Sequence, residues 1–86
     1  MTDEDLFRKV GYVCYVLSER YDVEYRRTGE HKAQITLQDY SWDDEEHEEL
    51  EETINKHGIK LNTWLILPDD DKIRIVLDVV AAEAGK

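Results

Sequence analysis

Apolar positions first recur with the period of a helix and then switch to strict alternation. Leu6, Phe7, Val10, Val13, Cys14 and Leu17 fall on one face at helical spacing, and Tyr21 continues the stripe. The spacing predicts a helix over 3–20. Thr2 followed by Asp5 makes a weak capping box, with three acids at the positive end of the helix dipole. Gly11 inside the stripe costs roughly 1 kcal/mol relative to alanine, so its presence implies close packing against another element.

From Tyr21 the period becomes two. Tyr21, Val23 and Tyr25 alternate with Asp22, Glu24 and Arg26, while Ala33, Ile35 and Leu37 alternate with Lys32, Gln34, Thr36 and Gln38. Two half-buried strands around a turn at Arg27-Thr28-Gly29-Glu30 make a β-hairpin. Ser41 then caps a second helix at about 42–57, with Asp44 three residues on and Trp42 in the first turn. Gly58 stops it just past Lys56 and His57, where Ile59 can fold back over the last turn.

The remainder alternates again. Leu61, Thr63, Leu65 and Leu67 oppose Asn62, Trp64 and Ile66, Pro68–Asp71 reads as a loop, and Ile73, Ile75, Leu77 and Val79 oppose Arg74, Val76, Asp78 and Val80. β-Branched content favours a strand over 73–80 with a short helical tail. The alternative is a helix capped by Asp70, since Ile73, Val76, Leu77, Val80 and Ala84 also fit helical spacing.

The expected fold class is therefore α+β, in the order α-β-β-α-β-β, as one domain over 1–86. A four-stranded antiparallel sheet with two helices packed on one face buries every stripe; the alternative ending gives α-β-β-α-β-α. In this arrangement Trp64, Ile66, Val76 and Val80 lie on the opposite face. That face is either covered by the C-terminal tail or open to a partner or a second copy, which makes a homodimer one expectation.

Composition changes this picture mainly through charge. The chain has 86 residues with 21 acids and 11 bases, a net charge of −10. Nine acids and no base fall between residues 39 and 52, leaving 12 acids against 11 bases elsewhere. Six lysines and a near-neutral remainder argue against general adaptation to salt. On a helical projection Asp44, Glu45, Glu48, Glu49, Glu51 and Glu52 cover an arc of about 160°, opposite Leu50, Ile54 and His57, with His47 beside them. Like charges at i,i+4 (Asp44–Glu48, Glu45–Glu49, Glu48–Glu52) each cost a few tenths of a kcal/mol. Beyond the first turn this charge has no local structural benefit.

The apolar face, Leu50 and Ile54 with histidines at its margins, is thin, and weak docking to the sheet is expected. A solvated, solubilising face is the plain explanation of the acids. The functional one is an electrostatic docking surface for a basic partner, formed by Asp43, Asp44, Glu45, Glu48, Glu49, Glu51 and Glu52. In size and localised charge the chain resembles small acidic proteins that imitate nucleic acid, phage-encoded inhibitors of host defence among them; no motif ties it to one family.

Candidate chemistry is sparse. No Ser-His-Asp order with a nucleophile elbow, glycine-rich phosphate loop or Cys-x-x-Cys occurs, and the acids share an exposed face where a catalytic pair needs divergent environments. No two of His31, His47 and His57 are spaced i,i+4, and Asp69, Asp70 and Asp71 lack the alternate spacing of a calcium loop. No enzyme, metal or cofactor is expected. Cys14 falls on an apolar helix face, where it acts as a small hydrophobe in a reducing compartment. No signal peptide or membrane span is expected, so the expected location is cytoplasmic. Direct nucleic-acid binding needs a basic patch, for which Arg20, Arg26, Arg27 and Lys32 are the candidates, interspersed with Asp22, Glu24 and Glu30. The expected function is a regulator or inhibitor that mimics nucleic acid to bind a basic protein surface. An assembly or adaptor subunit using the apolar sheet face around Trp64 is the alternative.

Overall fold

The predicted stripes of both helices, of the second strand and of the last strand are buried in one core between two helices and a sheet, whereas Leu65 and Leu67 of the stripe expected over 61–67 stay exposed. A computed structural model of the chain describes residues 3–39 and 42–81. The elements are α1 (Asp3–Leu17), β1 (Asp22–Gly29), β2 (Lys32–Asp39), α2 (Asp44–Lys56), β3 (Ile59–Asp69) and β4 (Lys72–Ala81). The strands form one antiparallel sheet in the order β1-β2-β4-β3, with both helices on one face. The α-β-β-α-β-β order is the expected one, and the helical alternative for the last segment is overturned by β4. The expected helical tail and the cap at Thr2 lie outside the described residues, and the cap expected at Ser41 is overturned, since Asp43 caps α2.

β4 is last in sequence but central in the sheet, paired with β2 and β3. This placement explains its high apolar content on both faces. Ile75, Leu77 and Val79 are fully buried beneath the helices, beside Ala33, Ile35 and Leu37 of β2. From α1 come Leu6, Val10, Val13, Cys14 and Leu17, and from α2 only Leu50 and Ile54. Gly11 performs the close packing its position implied: a methyl group there would meet the Tyr25 hydroxyl at 3.1 Å.

Both hairpin turns sit later than expected. β1 runs through Gly29, and the first turn is Glu30–His31, with His31 rather than glycine in the left-handed region at φ 58°. β3 likewise continues through Pro68 to Asp69, and Asp70, at φ 59°, makes the second turn with Asp71. Pro68 is tolerated because β3 is an edge strand, where a missing N–H need not break a ladder.

The largest correction concerns β3. Its pairing with β4 shifts between Leu61 and Thr63, so Asn62 is an extra residue. Before the bulge Leu61 stands opposite buried Val79, whereas after it Trp64 opposes Leu77 and Ile66 opposes Ile75. Directly opposed residues share a face. Trp64 and Ile66 therefore lie on the helix side, and Thr63, Leu65 and Leu67 on the outer side with Val76 and Val80. A polar chain running across the outer face fits this phase. Arg26 Nε donates to Gln34 (3.3 Å), Gln34 Nε2 to Asp78 (3.5 Å), and Thr63 Oγ1 to Asp78 (2.9 Å).

The elements also differ in length. β3, with 11 residues, spans about 36 Å, while α2, with 13, spans about 20 Å. The far end of the β3–β4 hairpin thus projects beyond helical cover, within a molecule 41 Å along its longest axis. Among the described residues no helix is long and apolar enough to cross a membrane.

Candidate functional site

The acidic helix is fixed by three sets of contacts, of which only the aliphatic one was legible as a stripe. Leu50 and Ile54 are buried in the core, each contributing roughly 1.5–3 kcal/mol. At the N-terminus the cap is Asp43, whose Oδ1 accepts the Glu46 backbone N–H at 2.8 Å. The helix therefore begins two residues later than expected, and Trp42 precedes the cap instead of lying in the first turn. Trp42 then meets His47 edge-on at 6.4 Å between ring centroids, an aromatic version of the staple between the residue before the cap and the fourth helical position.

The aromatic contacts continue on both sides. Trp42 packs on Tyr21 at 5.9 Å, and His47 on Trp64 of β3 at 4.5 Å. At the other end the His57 ring lies 5.0 Å from that of Tyr12, and its Nδ1–H donates to the Thr53 carbonyl at 2.8 Å. Because a carbonyl only accepts, that contact fixes the proton on Nδ1. Gly58 closes the helix at φ 80°, donating its N–H to Asn55 at 3.0 Å, and Ile59 folds back into the core as expected. The thin apolar face is thus reinforced at both ends, so the docking is firmer than Leu50 and Ile54 alone imply.

These contacts also set the helix's rotation. Glu46 and Glu49 point toward the end of α1, where Tyr21 Oη donates to Glu46 (3.1 Å) and Arg20 Nη1 pairs with Glu49 (3.1 Å). His47 points the other way, toward the edge strand. At 100° per residue the flank beyond His47 carries Glu51, Asp44 and Glu48, and the crest carries Glu45 and Glu52.

Of the expected docking residues, Asp43 is engaged as the cap and Glu49 in an ion pair with Arg20. Asp44, Glu45, Glu48, Glu51 and Glu52 are exposed, and among the described residues none has a hydrogen bond or ion pair. Glu46, absent from the expected set, is half-buried against Tyr21. Lost hydration raises its carboxyl pKa, and the charges of Asp39 and Asp43 add to this, while the Tyr21 hydroxyl offsets part of it. Tyr21 is itself pushed up to about 12, by burial first and by its bond to Glu46 second. Burial pushes the Cys14 thiol up to about 12, as suits a core position.

The four candidate cations do not converge. Arg26 and Lys32 belong to the outer sheet face, Arg27 stacks over Phe7 on the helix face (5.8 Å), and Arg20 is paired at the end of α1. Among the described residues no three His, Cys, Asp or Glu side chains are placed to share a metal ion.

Beside the acids lies a surface that the sequence assigned to the wrong face. Trp64, Leu65, Ile66 and Leu67 are all exposed, at 49, 54, 39 and 38%. On the helix side His47 packs on this run, at Trp64, and the outer edge of β3 pairs with no described strand. The uncharged run from Leu61 to Pro68 was visible in sequence; that it forms an edge was not. The chain matches no known family model, and no curated protein matches it by sequence.

Proposed function

We propose that this chain is a non-enzymatic interaction module that docks α2 onto a basic protein surface, acting as a regulator or inhibitor by imitating nucleic acid. The observation carrying this reading is the crest and flank of α2, where Asp44, Glu45, Glu48, Glu51 and Glu52 are exposed on a firmly held rod and, among the described residues, have no ion pair or hydrogen bond. Carboxylates spaced along such a rod present the repeated negative charge of a phosphate backbone, and they steer a cationic partner at long range. Helix-internal repulsion makes the arrangement costly to the fold, which a purely solubilising surface with mixed charges avoids.

The test is capture of host proteins by the immobilised chain at low and high salt, with duplex DNA as competitor. Reversing Glu45, Glu48 and Glu52 to lysine is expected to abolish capture, and DNA to displace what is captured. Capture that survives charge reversal, or that ignores salt, refutes the reading.

A second reading, an assembly or adaptor subunit, draws on the exposed run Trp64–Leu67. Its surface is no longer the outer face around Trp64, since only Leu65, Leu67, Val76 and Val80 lie there. It predicts a mass in solution that rises with concentration, unchanged by the charge reversals.

A further inference from the structure

We infer that the open edge of β3 between Lys60 and Leu67 takes up an extended segment of the basic partner as a fifth strand, beneath the acidic flank of α2. This inference rests on the proposed docking of α2 and specifies its partner's conformation.

β3 is the outermost strand beside β4, and nothing described covers its free backbone edge. Such edges are normally blunted by charge, by shortness or by a cover. Here the strand is 11 residues long and uncharged from Leu61 to Leu67, with its projecting half apolar on both faces. Pro68 lacks an N–H and limits any added ladder to the residues before it.

The helix above selects the occupant. Because His47 contacts Trp64, the flank bearing Asp44, Glu48 and Glu51 overlooks this edge. Side chains of an added strand alternate between the two faces. Those directed toward the helices meet Trp64, Ile66 and the carboxylates, a setting suited to arginine, whose stem packs on the indole while its guanidinium binds the acids. Those on the other side meet Leu65 and Leu67 and suit aliphatic residues. The fitting segment thus alternates basic and aliphatic residues. A second copy fits poorly, because pairing β3 with β3 brings two such acidic flanks within about one Debye length of each other.

The test uses the full chain, isotope-labelled, and a synthetic peptide alternating arginine and valine, with a glutamate–valine peptide as control. Addition of the arginine peptide is expected to slow amide exchange at alternate positions between Lys60 and Leu67 at least tenfold. Leu65→Lys, at a half-exposed position that tolerates charge, is expected to weaken binding at least tenfold. The pair Glu48→Gln and Glu51→Gln is expected to do the same and to reduce the salt dependence.

Equal binding of the control peptide overturns the inference, as does a free chain that sediments as a dimer with these amides already protected. Binding that depends on the α2 charges but not on Leu65, without protection along β3, overturns the added strand and leaves the acidic-helix reading standing. Binding lost with Leu65→Lys but indifferent to charge overturns the basic partner and, with it, the occupant named here.

Discussion

Neutralising the middle of the acidic face is expected to stabilise the fold while it weakens docking, and Glu48→Gln is the sharpest case. Glu48 is flanked at i−4, i−3, i+3 and i+4 by Asp44, Glu45, Glu51 and Glu52, and among the described residues no cation or donor compensates it. Each like-charge neighbour costs about 0.2–0.5 kcal/mol at low salt, and partial overlap of the four gives a net gain of about 1 kcal/mol on neutralisation. Little opposes that gain. Glutamine matches glutamate in helix propensity, and Glu48 lies beyond the first turn, where the helix dipole rewards a negative charge. For a domain of this size the gain corresponds to a rise of roughly 4–8 °C in Tm. Thermal and urea unfolding at low salt measure it, and in 1 M salt, where screening acts within about 3 Å, the difference should nearly vanish. A variant equal to or less stable than the parent at low salt refutes the reasoning. Glu48 would then have a favourable role within the fold, and the claim that its charge serves contact at the expense of stability would lose its basis.

Three further outcomes test the surrounding structure. Gly58→Ala should destabilise by about 1–2 kcal/mol in urea unfolding, because φ is 80° there, and Gly58→Asn should lose less. Gly11→Ala should instead stabilise by about 0.5 kcal/mol: helix propensity returns about 1 kcal/mol, and the half-exposed end of Tyr25 has room to retreat from 3.1 Å. A loss of stability there shows that Phe7 holds the Tyr25 ring rigidly. Stability should also fall as pH rises above about 9, because Cys14 stays protonated in the fold up to about 12 while the unfolded chain ionises at its ordinary pKa; Tyr21 adds to the fall above about 10. The unfolded state then binds fewer protons, so the slope is negative, at most about 1.4 kcal/mol per pH unit for each group. Denaturation at pH 8 and pH 10.5 measures it, and Cys14→Ala should flatten the early part.

The candidate site was half legible before the fold was known. The confinement of acids to one helix face follows from local periodicity, and α2 places Glu45, Glu48 and Glu52 outward as that periodicity requires. Its cap was misplaced: Ser41 is the expected residue, and Asp43, which suits the role equally by its chemistry, occupies it. The aromatic support had a faint signal in the spacing of Trp42 and His47. The third ring, Trp64, is remote in sequence and is brought in only by packing.

Local pattern determined the first five elements and nearly all of the core, and favoured without settling a strand for the last, because helical and strand periodicities are properties of neighbouring residues. It also determined where the charge resides. Tertiary structure decided the strand order, and so which strand has a free edge. It decided, too, which face Trp64 occupies. β3 is apolar at both odd and even positions, so its side-chain pattern is compatible with either phase, and one bulged residue at Asn62 selects between them. That choice is made by pairing with β4, whose buried Ile75 and Leu77 draw Ile66 and Trp64 to the helix side, beside the acidic flank.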